Sequence, residues 1–169
     1  MIREKVQKKL VSKEKLAQVG YWNYEDVYRM MFEWIKDNGY ELAERSYRER
    51  LSSRGKEIII EWEATREITD YFKYEMIINW HILGMKDAEV EIEGEKTKTN
   101  KGEIEIEFKA SIIKDYEKRW EDKPINKFMR GIYENYIIRK TIEEYELDLI
   151  EEAKRIIYDL KSFLRIPVA

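Results

Sequence analysis

The sequence predicts an α+β domain: an amphipathic helix near the N-terminus, an antiparallel meander of about five strands, and a long C-terminal helix on the sheet's apolar face. Three observations lead there. Glutamates hold every second position in Glu61-Trp62-Glu63, Glu89-Val90-Glu91-Ile92-Glu93 and Glu103-Ile104-Glu105-Ile106-Glu107. That period sends alternate side chains to opposite faces of a strand. Val27, Met30, Met31, Trp34 and Ile35 recur at the spacing of one helix face. From Asn126 to Leu164 no proline interrupts the chain, and Ile138, Ile142, Tyr145, Leu149, Ala153, Ile156, Leu160 and Phe163 recur at steps of three and four.

Residues 1–20 read as a basic arm with a helical look over 2–18, where Val6, Leu10, Leu16 and Ala17 form a thin apolar stripe that Gly20 ends. The helix over 23–38 has Asn23 as N-cap, Glu25 and Asp26 in the first turn where acids suit the dipole, and Gly39 as its stop. The sheet spans 40–114. A strand over 40–51 turns at Ser52-Ser53-Arg54-Gly55 into one over 56–68. The strand over 71–83 places Phe72, Tyr74, Met76, Ile78, Trp80 and Ile82 on one face. Gly84-Met85-Lys86-Asp87 reads as a turn into a short strand over 88–93, and Gly94 to Gly102 as a polar hairpin loop before a strand over 103–114. Each connection is too short for a parallel crossover.

Pro124 separates the sheet from a helix expected over 125–164, with Asn126 as N-cap. Such a helix is on the order of 55 Å long, against about 40 Å for a dozen-residue strand, so it is expected to overhang its own sheet. It either bends near Gly131 or packs its exposed end on another subunit. The predicted core comprises Val27, Met31, Trp34, Ile60, Trp62, Met76, Ile78, Trp80, Ile92, Ile106, Phe108, Ile142, Leu149 and Ile156.

A chain of 169 residues suits one domain with a sizeable core. Cysteine is absent, which excludes disulfides and thiol chemistry. The abundance of Glu, Lys and Ile, with Gln only at Gln7 and Gln18, resembles hyperthermophile composition. No apolar run approaches membrane-spanning length, and no apolar segment follows the basic N-terminus as in a secretory signal, so a cytoplasmic or intravirion location is expected. The net charge of −3 conceals a division. Arg3, Lys5, Lys8, Lys9, Lys13 and Lys15 face only Glu4 and Glu14 in residues 1–15, while residues 57–115 hold fifteen acids against eight bases.

Chemistry has few candidates. His81 is the one histidine and falls on the outward side of its strand, where a structural role is expected. Phosphate-cradling glycine motifs are absent. An acidic sheet repels phosphate, so nucleic acid is not an expected partner. Glu105-Ile106-Glu107-Phe108-Lys109 resembles the E-x-E-x-K signature of the CYTH triphosphatases, a family whose charged tunnel binds a divalent metal and a triphosphate. That resemblance implies an alternative in which Glu105 and Glu107 hold Mg²⁺ or Mn²⁺ and Lys109 contacts phosphate. A curved antiparallel sheet closed by a long helix is also similar to the helix-grip lipid and small-molecule carriers, with a different order of elements. In that alternative Trp62, Phe72, Trp80 and Phe108 line a pocket.

The expected function is a non-enzymatic structural or interaction protein that self-associates into a homo-oligomer, without catalytic residues, cofactor or metal. Its contacts would run from Arg3, Lys5, Lys8, Lys9, Lys13 and Lys15 of the arm to Glu61, Glu63, Glu89, Glu91, Glu93, Glu103, Glu105 and Glu107 of the sheet, with the long helix as a further surface.

Overall fold

A computed structural model describes residues 7–114, 128–129, 131–132 and 139–165. The elements are β1 (Gln7–Trp22), α1 (Tyr24–Asp37), β2 (Glu41–Ser52), β3 (Gly55–Glu67), β4 (Phe72–Ile92), β5 (Glu95–Lys114) and α2 (Arg139–Phe163). The five strands form one antiparallel sheet in the order β1-β5-β4-β3-β2. Strands β2 to β5 are a meander, and β1 adds to the free edge of β5. Helices α1 and α2 lie on the apolar face. Among the described residues, no helix is long and apolar enough to cross a membrane.

The α+β class, the antiparallel sheet, the α1 signals and the C-terminal helix follow the sequence. Asn23 caps α1 by accepting from the Asp26 amide at 2.9 Å, and Gly39 takes φ +81° beyond its end. The arm departs from expectation. Residues 7–22 are a strand, with Leu16 and Trp22 buried and Lys13, Lys15, Ala17 and Val19 turned to the other face. Tertiary pairing overrode a fragmentary helical stripe, because β5 offers this segment a complete ladder of backbone partners.

The Gly84–Asp87 turn and the Gly94–Gly102 loop are also strand. At Gly84 and Met85, β4 carries one residue more than its partner, between the pairs Leu83↔Glu103 and Lys86↔Lys101. Gly84 takes φ +61° there, the left-handed conformation that a glycine bulge uses. The bulge is clamped: a Cβ on Gly55 would sit 2.8 Å from the Gly84 carbonyl carbon, and one on Gly102 would sit 3.0 Å from the Met85 Cα. The strand then continues to a two-residue turn at Glu93-Gly94, with φ of +51° and +83°, the sign that a tight hairpin needs at both positions. Beyond the bulge the ribbon pairs only with itself, Ala88↔Thr99 to Ile92↔Glu95.

The expected overhang of the last helix falls partly outside the described residues. Its described part, α2, has 25 residues, and β4 has 21. At about 1.5 and 3.3 Å per residue the strand is the longer element by far. Pro124, the Asn126 cap and Ile138 lie outside the described residues.

The core runs through all of the sheet, α1 and α2, with Trp62, Tyr74, Ile78, Trp80, Ile106, Phe108, Leu149 and Ile156 almost fully buried. Two predicted core residues stand apart. Ile92 is 46% exposed on the ribbon, and Trp34 is half-buried because its indole N–H reaches Asp159 of α2 at 3.1 Å. A clip at Arg66 closes the assembly. Its guanidinium stacks on Tyr40 (4.7 Å) and Tyr74 (5.3 Å), donates to the Asn38 carbonyl (2.7 Å) and pairs with Glu152 of α2 (2.8 Å). One side chain thus joins the end of α1, the sheet and α2.

Candidate interaction surfaces

Residues opposite one another in antiparallel strands share a face, so the register maps the surface turned away from the helices. One row crosses it as Arg48, Ile59, His81, Glu105 and Ala17, and the next as Ser46, Glu61, Asn79, Glu107 and Lys15. Carboxylates dominate the inner strands and bases the edge strands. This layout offsets the repulsion that carboxylates on neighbouring strands exert on one another. Arg45 meets Glu63 at 2.7 Å and Arg50 meets Glu57 at 3.1 Å from the β2 edge. From the β1 edge, Lys15 meets Glu105 at 3.0 Å, Lys13 meets Glu107 at 3.7 Å, and Lys8 pairs with the largely buried Glu75. Lys9 reaches Glu146 of α2 at 2.8 Å. The Arg45 guanidinium holds the Glu63 carboxyl below the ordinary range, and Lys109 does the same for Glu107.

The basic arm and the acidic sheet therefore meet within one chain. Glu61 and Glu103 share that face, exposed, and form no ion pair among the described residues. The other glutamates are elsewhere. The extra residue at the bulge reverses the alternation in β4, so Glu89 and Glu91 stand opposite Lys98 and Lys96 on the helix side. Glu93 lies in the hairpin turn. With Asn23, Lys56, Asp87 and Asn100, Glu89 and Lys98 border an open cleft of ≈ 710 Å³ at the start of α1. Arg3 and Lys5 lie outside the described residues.

The residues that a CYTH-like reading would use do not fit a metal. Glu105 and Glu107 point from an open sheet, not into a closed tunnel, and both carboxylates engage lysines, Lys109 reaching Glu107 at 3.2 Å. Among the described residues no group of three or more His, Asp or Glu could hold a metal ion. His81 lies on the outer face with Nε2 3.6 Å from Glu57, beyond hydrogen-bond range.

Sequence reasoning missed a second surface. Tyr24, Tyr28 and Phe32 stand at i, i+4 and i+8 on α1, one stripe over from its core face, and with Tyr47 of β2 they border an open groove. The signal was present as a second apolar stripe, but only the packing of α1 beside β2 brings Tyr47 to it. No family model matches the chain, and no curated protein sequence is similar to it.

Proposed function

We propose that the protein is a non-enzymatic interaction protein that self-associates, two copies joining edge to edge along β1. The observation that carries this reading is the uncharged outer edge of β1 from Leu16 to Trp22, where Val19 is 78% and Tyr21 52% exposed. Lysines on an edge strand discourage pairing with another chain, and β1 has them at Lys8, Lys9, Lys13 and Lys15. Past Lys15 that protection ends. An antiparallel strand set against its own copy makes a closed, twofold contact. Because Lys8, Lys13 and Lys15 are used within the chain, the contact rests on backbone hydrogen bonds and apolar side chains rather than on screened charge pairs.

Light scattering over a concentration series tests it. A dimer that persists at high salt, and that Val19→Lys converts to a monomer with an unchanged thermal melt, is the expected result. A wild-type monomer at every concentration, or a dimer indifferent to Val19→Lys, overturns the proposal.

A second reading, a helix-grip-like carrier, is favoured by one observation. The long helix α2 lies on the apolar face of an antiparallel sheet, the arrangement on which that resemblance rests. Trp62, Phe72, Trp80 and Phe108 are buried in the packed core, so a ligand would have to displace them. Native mass spectrometry that finds no co-purified lipid or small molecule removes this reading.

A further inference from the structure

We propose that the groove between α1 and β2 binds a small methylated ammonium ion. Tyr24, Tyr28, Phe32 and Tyr47, with Glu25 and Arg29, line an open groove of ≈ 470 Å³. The Tyr24 and Tyr28 ring centroids are 6.0 Å apart, and the Tyr24 and Tyr47 hydroxyls meet at 3.0 Å, bridging helix to strand.

Glu44 supplies the charge beside this aromatic wall. Its Oε2 accepts both the Tyr28 hydroxyl at 2.7 Å and the Trp62 indole N–H at 2.8 Å. Among the described residues, its Oε1 accepts no hydrogen bond and no basic side chain pairs with Glu44. The nearby Glu49, in contrast, is engaged by Lys56 at 2.9 Å. Arg29 stands at the rim, mostly exposed and 3.9 Å from Asp26. Burial and then the Glu44 hydrogen bond push the Tyr28 phenol up to about 12, so it stays protonated and donating at neutral pH.

Aromatic side chains beside a carboxylate without a basic partner select a particular chemistry. Ring quadrupoles attract cations, and a methylated ammonium gives up little hydration to lie against them. Anions are disfavoured, because Glu25 lines the groove and Glu44 is bonded to Tyr28 beside it, two carboxylates against the single guanidinium of Arg29. The groove lies on the β2 side of the sheet, opposite the β1 edge, so this inference does not depend on self-association.

The test is a calorimetric and NMR titration of the full chain with tetramethylammonium and choline, against the neutral isostere 3,3-dimethylbutan-1-ol. The expected result is saturable binding of both cations, with the isostere roughly tenfold or more weaker. Glu44→Gln should weaken cation binding by roughly tenfold. Tyr47→Leu, at an exposed position, should weaken it while leaving the melt unchanged. Isostere binding as tight as the cations, no saturable cation binding, or cation affinity unmoved by both substitutions overturns the proposal.

Discussion

The two faces of this sheet are made by the same strands and differ in what they contribute. On the helix side, Trp62, Trp80, Ile78 and Phe108 are buried and touch one another or the helices. On the far side, Glu63, Glu105 and Glu107 pair with lysines and arginines in mostly part-exposed groups, and Glu61 stands exposed beside them. Burial of apolar area and close packing stabilise the first face by several kcal/mol per large side chain. Exposed ion pairs contribute about 0–1 kcal/mol each. The charged face therefore contributes less to holding the fold together than the apolar one, and position along the chain says less about a residue than its parity.

Adjacent residues give the sharpest test. Trp62→Ala should cost about 4 kcal/mol in chemical denaturation, since it opens a cavity beside Trp80 and takes a donor from Glu44. Glu61→Ala, one residue away on the exposed side, should cost less than about 0.5 kcal/mol. Similar costs for the two would break the comparison. Next in size is Arg66→Leu, expected to lose about 2–3 kcal/mol because the largely buried Glu152 keeps its charge without its partner. Gly55→Ala should cost on the order of 2 kcal/mol, because its Cβ would press on the backbone of the β4 bulge at a φ of +122°. A Gly55→Ala protein as stable as the parent would mean that the bulge is not clamped.

The smallest effects belong to the charged face. Lys15→Gln and Glu105→Gln should each shift stability by less than about 0.5 kcal/mol, and less still at high salt. Acid sharpens this. Glu63 and Glu107 are held below the ordinary glutamate value of 4.5 by Arg45 and Lys109, so the unfolded chain takes up protons before the folded one. Their stabilisation is fully present above pH 4.5 and declines as pH falls through the lower folded values. Denaturation curves from pH 7 to pH 3 should show that decline, and Glu63→Gln with Glu107→Gln should flatten it. An unchanged slope in the double variant would remove these two carboxylates as its source.

How much of this was legible in the sequence differs by element. The α1 helix was readable in full, because its cap, its apolar stripe and its glycine stop are all local. The inward set of β3, from Ile58 to Ala64, was readable because strand alternation is local too. The bulge at Gly84 was not, since a glycine with a lysine and an aspartate nearby signals a turn as well as it signals one extra residue in a strand. That single residue moved Glu89 and Glu91 to the other face from Glu103 and Glu105. The candidate site was less legible than the fold. Tyr28 and Trp62 converge on Glu44 only because α1 crosses beside β2, and no spacing in the chain records that.

By itself the sequence determined local periodicity: which stretches alternate, which turn with the helix, and where each helix begins and stops. Those properties depend on backbone geometry and side-chain chemistry within a few residues. Only the tertiary structure decided that the lysine arm is an edge strand, that its charges meet glutamates of the same chain, and on which face the ribbon's acids lie. The physical reason is that a strand's backbone bonds are made with a distant segment, so its existence and register are settled by the partner it finds.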